Sequence, residues 1–363
     1  MDYAARRHNL KRFTQADAVA LVPGANMVYF TGLHFHLSER PILALIQGDD
    51  LAFILPELEA PQIHARPDIE ARLFTWTDQD GYTGAFARAL DELGLRGKVL
   101  GVDDRTMRVF ELEALRALDP TLHVYQAGGG LLDIRAIKAA EEVETLQTAI
   151  RRSEAALDAA LPQIKVGMSE REIGALLSRE LGQAGCEEVA FMLIQIGENS
   201  AVPHGSMTDR KLGADEFLLI DYGGRFGGYP ADITRTFCSG TPSAEMQRIY
   251  DTVLAANQAG IAAVKPGVAC GDVDRAAREV IEAAGYGQYF IHRLGHGLGL
   301  EGHELPQMAP GVDDVLEIGM VFTVEPGIYV PGLGGVRIED NVVVTGDGVR
   351  VLTSYRYGLG MQG

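Results

Sequence analysis

The sequence predicts an α/β (α+β) protein: a mixed α/β layer domain over residues 1–130, then a larger domain over 131–363 made of two similar halves. Three observations carry that expectation. Short apolar runs alternate with helix-like spacing in the first third of the chain. A glycine run, AGGGLL at 127–132, interrupts the pattern. Beyond it, a set of residues recurs one hundred positions further on, which reads as two related half-domains.

In the first domain, ADAVALV (16–22), PILALIQGDDLAFILP (41–56) and KVLGVDD (98–104) supply the strands. PILALI and LAFIL flank a G-D-D turn, which predicts a hairpin. Helical spacing over 84–93 and 108–118 supplies the layer packed on them. Trp76, the single tryptophan, reads as a packing residue, and no catalytic residue types cluster here. In the second domain, Val143, Leu146, Ile150, Leu157 and Leu161 fall at helical spacing, and Ser169 with Glu172 forms the S-x-x-E box that opens another helix. Lys165-Val166-Gly167 is matched by Lys265-Pro266-Gly267, Ile173 by Val273, and Ala184-Gly185 by Ala284-Gly285. Each half then runs into a strand that ends in a carboxylate: Asp221 in FLLIDYGG, Glu325 in MVFTVEPG.

Composition removes several function classes. Of 363 residues, 32 are Lys or Arg and 50 are Asp or Glu, a formal charge of −18 that repels nucleic acid and anionic lipid. The chain is expected to bind neither. The three cysteines, Cys186, Cys238 and Cys270, lie far apart without a C-x-x-C pair, as suits a reducing compartment. The N-terminal MDYAARRHNLKRF leads into no apolar signal segment, and no apolar run approaches the roughly 20 residues of a membrane span. Cytoplasmic residence is the expectation.

The stretch GHGLGLEGHELP (295–306) places His296 and His303 seven residues apart. It is not the H-E-x-x-H zinc signature: His303-Glu304 is followed by Leu305, Pro306 and Gln307, and the proline would break the helix that such a site needs. The remaining donors must come from elsewhere. In FLLIDYGGRFGGYPADITRTF, a turn centred near Arg225 and Phe226 would set Asp221 opposite Asp232. In VFTVEPGIYVPGLGGVRIEDNVVV, the P-G-L-G-G reversal would set Glu325 opposite Glu339. Residues facing across a hairpin share a face, with β-carbons ~5 Å apart, and like charges there are costly unless cations compensate. Four carboxylates and His296 are enough to hold two divalent ions when carboxylates bridge. An oxygen-rich set with one imidazole favours Mn2+, with Co2+ and Zn2+ as alternatives. The glycines between His296 and His303 would let the backbone approach the metals and the bound peptide closely.

These residues resemble the pita-bread metallopeptidases, a family that includes proline dipeptidase (prolidase), aminopeptidase P, methionine aminopeptidase and creatinase. The blocks that carry the resemblance are DIRAIKAAEEVETL, GENSAVPHG, DYGGRFGGYPADITRTF, GHGLGLEGHELP and TVEPGIYVPGLGGVRIEDNVVV, spanning 133–345. VALVPGANMVYFTGL resembles the creatinase/prolidase N-terminal domain. The resemblance implies a dinuclear centre in a pseudo-twofold pita-bread domain. Asp221 would bind one ion, Asp232 and Glu339 would bridge, and His296 with Glu325 would complete the other shell. A bridging water or hydroxide would attack, with Glu325 shuttling its proton. It further implies that His204 and His303 contact substrate without binding metal. Arg337 has two readings, a clamp on the substrate carboxylate or an internal partner of an acid. Thr234 and Thr323 would support neighbouring ligands, His292 has no assigned role, and Ala231 stands where relatives often carry serine. The implied activity is hydrolysis before proline, as an Xaa-Pro dipeptidase or an Xaa-Pro aminopeptidase. The implied partners are a small peptide with proline second and a second copy of the chain, which the loop HFHLSERP (34–41) could reach. A creatinase-like hydrolase would lack the metal set, and a non-enzymatic binding module would lose ligands; all five are present.

Overall fold

The computed structural model describes residues 1–361. The chain divides into two compact units, Met1–Arg135 and Ala136–Gly363. The first unit opens with α1 (Tyr3–Leu10), β1 (Ala18–Leu21), α2 (Ala25–Thr31), β2 (Leu43–Gln47) and β3 (Asp50–Pro56). It continues with α3 (Ala60–His64), β4 (Arg72–Trp76), α4 (Thr83–Glu92), β5 (Val99–Val102), α5 (Val109–Leu118), β6 (His123–Gln126) and α6 (Gly128–Ala136). Its six-stranded sheet runs β4-β3-β2-β1-β5-β6, with β1 antiparallel to β2 and parallel to β5. The expected hairpin is there: β2 and β3 turn at Gly48, whose φ of 67° suits a residue without a Cβ. Phe86, Ala89 and Leu90 of α4 pack against Leu45, Ile54 and Leu100 of the sheet, with Trp76 in the same core. The glycine run that interrupts the sequence pattern lies in α6, where Gly128 N–H donates to Asp104 Oδ1 at 2.8 Å. A Cβ at Gly130 would sit 2.4 Å from the Phe13 carbonyl oxygen, so close approach of the backbone accounts for a glycine there.

The second unit holds the repeat. Its first half comprises α7 (Ala140–Ala160), α8 (Glu170–Gln183), β7 (Glu188–Ile196), β8 (Phe217–Phe226), β9 (Tyr229–Pro230) and β10 (Ile233–Cys238). The second comprises α9 (Ala244–Ala263), α10 (Cys270–Ala283), β11 (Gly295–Gly297), β12 (Glu304–Met308), β13 (Val321–Val324), β14 (Gly327–Val330), β15 (Gly334–Arg337), β16 (Asp340–Thr345) and β17 (Gly348–Val351). Helices α8 and α10 begin and end one hundred residues apart. The glycines that punctuate them match in conformation, Gly167 and Gly267 at φ 95° and 80°, Gly185 and Gly285 at φ 84° and 87°. Each half ties its helix entry to a segment about 45–50 residues further on in the same way: Gly167 N–H to the Leu212 carbonyl at 2.8 Å, Gly267 N–H to the Leu316 carbonyl at 2.7 Å.

The sheets run β10-β8-β7 in the first half and β12-β11-β13-β16-β17 in the second, with β14-β15 as a separate ribbon. Leu146, Ile150 and Leu157 form the buried stripe of α7 that packs with Ile194, Leu218 and Ile220. Val253 and Ala256 of α9 pack with Phe322, Val324 and Val342. Fully burying one such side chain contributes about 1.5–3 kcal/mol, so the two helix layers hold the sheets firmly and leave their carboxylate-bearing ends to be shaped by hairpins.

Candidate metal centre

The first hairpin turns at Gly227-Gly228, not at Arg225-Phe226. Both glycines take positive φ, 60° and 79°, as a two-residue hairpin turn requires. That choice changes the pairing. Asp221 lies opposite Thr234, and the same register carried on sets Asp232 opposite Gly223. The two aspartates therefore share a face as diagonal neighbours instead of standing directly opposite. Gly223 permits the approach, because a Cβ on it would fall 1.9 Å from the Ala231 carbonyl oxygen.

The second hairpin keeps the expected register. Val324 pairs with Asp340 on one side and Gly327 with Arg337 on the other, which places Glu325 opposite Glu339. His296 comes from the three-residue β11, between β12 and β13. Its flanking glycines answer to neighbouring strands: a Cβ on Gly295 would sit 1.9 Å from the Thr323 carbonyl oxygen, and one on Gly297 would sit 2.0 Å from that of Leu305. Approach of strand to strand, not of backbone to ligand, accounts for them.

These elements gather the acids. Ligand atoms of Asp232, His296 and Glu339 lie within 4.8 Å of one another, and all three residues are buried. His296 Nε2 is 3.2 Å from Glu325 Oε1 and 3.6 Å from Asp232 Oδ2. Thr234 Oγ1 donates to Glu339 Oε2 at 2.7 Å, and Thr323 Oγ1 to Glu325 Oε1 at 3.1 Å. Asp221 joins through Arg337, whose Nη2 donates to Asp221 Oδ2 at 2.5 Å. Among the described residues, Asp221 Oδ1 and Glu339 Oε1 are buried without a hydrogen-bond partner.

The electrostatics show the strain of that assembly. Burial and the facing carboxylate of Asp221 push Asp232 well above the usual carboxylate range. Burial and Asp232 do the same to Glu339. Glu325 goes the other way: burial opposes its charge, but the hydrogen bond and charge of His296 win and hold it down to about 2. His296 is raised in turn, because Glu325 and Asp232 outweigh the effect of its burial. Two buried acids that resist ionisation beside two orphaned carboxylate oxygens call for cations.

Around this centre, the expected substrate residues sit at the edge. His303 is exposed at the rim, its ring edge-on to His296 with centroids 4.0 Å apart. The residue after it, Glu304, is anchored by Lys138 at 3.1 Å, both side chains 1% exposed. His204 is exposed too; burial holds the pKa of His292 and His303 down, and the charge of His204 adds a smaller push in the same direction. Arg337 is only 2% exposed. Besides Asp221 it donates Nη1 to Tyr329 Oη at 2.8 Å and Nε to Thr234 Oγ1 at 3.2 Å, so the partners found for its guanidinium are internal. Sequence reasoning left His292 and Tyr329 aside. His292 Nε2 lies 2.8 Å from Tyr329 Oη, which extends the chain Asp221–Arg337–Tyr329 to the rim. The spacing of His292, four residues before His296, was the available signal.

Residues 144–346 match the profile of metallopeptidase family M24, over half of the chain, and residues 7–137 match the creatinase/prolidase N-terminal domain. The chain belongs to metallopeptidase family M24. A curated relative, an uncharacterised peptidase of Staphylococcus saprophyticus, is 38% identical over 347 residues, covering 94% of this chain and 96% of its own. Among solved structures, a dipeptidase from Pyrococcus horikoshii OT3 overlays with a TM-score of 0.91 at 35% identity, covering 99% of both chains. A prolidase from Thermococcus sibiricus overlays at 0.93 with 31% identity, again over 99% of both. An X-Pro aminopeptidase from Thermotoga maritima overlays at 0.88 with 30% identity, covering 97% of this chain and 99% of its own.

As an M24 metallopeptidase the chain is a peptidase that uses divalent metal ions. Its residues fit them. The buried Asp232, His296 and Glu339 converge, and Asp221 Oδ1 and Glu339 Oε1 offer acceptors with no donor among the described residues. Among the described residues no helix is long and apolar enough to cross a membrane.

Proposed function

We propose that this M24 peptidase is an Xaa-Pro dipeptidase, cleaving the bond before proline in dipeptides. The observation that carries the reading is the convergence of Asp232, His296 and Glu339, flanked by Asp221 and Glu325, at a rim bearing two histidines. Its similarity in fold and sequence to a dipeptidase and a prolidase supports the substrate class. Asp221, Asp232, His296, Glu325 and Glu339 would hold two divalent ions, taken as Mn2+. Bound there, such ions would supply a lowered pKa for water and polarisation of the scissile carbonyl.

The chain's own groups do the rest. Glu325, with Thr323 Oγ1 donating to its Oε1 at 3.1 Å, takes the proton of the attacking water and passes it to the proline nitrogen as the C–N bond breaks. His303 and His204 meet the substrate from the solvent side and donate to its carbonyl and to the developing oxyanion. Arg337, spent on Asp221, Tyr329 and Thr234, holds Asp221 in place and is not the clamp on the substrate carboxylate. A dedicated enzyme suits this bond, since proline offers no N–H to a peptidase that binds through it.

The test compares Xaa-Pro with Xaa-Pro-Xaa by product analysis. Faster cleavage of the dipeptide is expected; tripeptides cut far faster would make the enzyme an aminopeptidase. Asp232→Ala is expected to lose metal and hydrolysis together, and full hydrolysis without bound metal would end the metallopeptidase mechanism. Manganese, a homodimer and cytoplasmic residence belong to the same proposal, and metal analysis of the isolated protein, light scattering and cell fractionation check them.

A further inference from the structure

Between the end of β7 at Ile196 and the start of β8 at Phe217, the chain makes an excursion that carries His204. Its base is gathered on one carboxylate. Glu170, the first residue of α8, is 0% exposed. Its Oε1 accepts from Ile196 N–H and Asn199 Nδ2, both at 2.9 Å. Its Oε2 accepts from Thr208 N–H at 2.6 Å and Thr208 Oγ1 at 2.7 Å. The donors flank His204 on both sides, so one side chain closes the loop from 199 to 208. Gln195 Nε2 adds bonds to the carbonyls of Asn199 (3.0 Å) and Val202 (2.8 Å). The same turn is pressed on the second hairpin: Gly335 N–H donates to Ser200 Oγ at 2.7 Å, and a Cβ on Gly335 would fall 2.1 Å from the Ser200 carbonyl oxygen.

Helix formation does not explain this glutamate. Ser169 Oγ accepts from Glu172 N–H at 3.2 Å and Glu172 Oε2 accepts from Ser169 N–H at 2.8 Å, a closed capping box. An acid there for the helix dipole alone would lie in solvent, where such a charge contributes only ~0.3–1 kcal/mol. Burying a carboxylate is costly unless its acceptor sites are filled, and here four donors fill them. The cost is offset by the loop it holds.

We propose that Glu170 is a positioning residue of the peptidase reaction, holding the 199–208 loop so that His204 is presented to the substrate beside His303. The inference rests on the assignment of His204 made above.

A double-mutant cycle tests it. Glu170→Gln replaces an accepting oxygen with an N–H2 that confronts the donors of Ile196 and Asn199 or of Thr208. In the otherwise unchanged enzyme, kcat/KM for an Xaa-Pro dipeptide is expected to fall about 10- to 100-fold, the range for a misplaced group, with metal content unchanged. In a His204→Ala background the same substitution is expected to change kcat/KM by less than about twofold, because the group it positions is gone. Hydrogen exchange gives a readout apart from activity: amides of 197–208 exchange faster in Glu170→Gln, while those of α7 and the body of α8 do not. Should Glu170→Gln fail to fold, Thr208→Val removes a single donor and is put through the same cycle, with a smaller loss in the same pattern. Equal losses in both backgrounds, or parental kcat/KM and exchange in either variant, would overturn the proposal. A fully active His204→Ala enzyme would instead overturn the assignment of His204, and this proposal with it.

Discussion

Arg235 gives the sharpest stability prediction. Its side chain is 2% exposed and lies one residue beyond Thr234, between the two hairpins. Nη2 donates to Asp340 Oδ1 at 2.7 Å and to the Tyr355 carbonyl at 3.0 Å; Nη1 donates to the carbonyls of Glu339 at 2.6 Å and Thr234 at 3.0 Å. Arg235→Met would keep the volume and remove every donor. Asp340, 0% exposed, would be left with Tyr357 Oη at 2.9 Å on its other oxygen and no cation. Removing one partner of a buried pair costs about 3–5 kcal/mol, whereas replacing both with apolar groups of similar size is often neutral. Arg235→Met is therefore expected to destabilise by about 3–5 kcal/mol, and Asp340→Leu added to it to recover much of that loss. The carbonyls it leaves open would keep recovery short of complete. Urea unfolding of the metal-free protein, followed through the transition of the second unit, measures both variants without the contribution of bound ions. A single variant within about 1 kcal/mol of the parent, or a double variant less stable than the single, would refute the reasoning.

Two further outcomes follow from the centre. Asp232 and Glu339 are raised in the folded metal-free protein, so above the ordinary carboxylate range of about pH 4 the native state binds more protons than the unfolded state, and stability falls as pH rises. His296, also raised, contributes stability below its unfolded pKa that is lost as pH climbs through the folded one, the same direction. Bound metal needs these ligands deprotonated and binds more tightly as pH rises. The gap in Tm between loaded and chelated protein should widen from pH 5 to pH 8 in scanning calorimetry, and a constant or narrowing gap would contradict the burial argument. Gly297→Ala would bring a Cβ to 2.0 Å from the Leu305 carbonyl oxygen, forcing β11 and β12 apart. A loss of at least about 1–3 kcal/mol and weakened metal binding through displaced His296 are expected, checked by thermal unfolding and metal titration.

What the sequence by itself determined is the local and repeating part of this protein. Apolar spacing in α7, the Ser169–Glu172 box and the hundred-residue match between α8 and α10 are periodic signals written into neighbouring residues, and the folded chain keeps them. The register of Glu325 against Glu339 was legible as well, because the P-G-L-G-G reversal marks its own turn. The first hairpin was less so. Two glycine pairs stand in DYGGRFGGYP, and only the positive φ of Gly227 and Gly228 shows which one turns the chain, which moves Asp232 from opposite Asp221 to the diagonal. Tertiary structure alone decided the partners. The sequence leaves Arg337 open between a clamp on the substrate and a partner of an acid, and strands over one hundred residues apart bring Asp221 and Thr234 to it. Glu170 stands in the first turn of α8, and folding closes the His204 loop over it. Such contacts join residues distant along the chain, and burial sets their strength, so neither periodicity nor motif spacing carries them.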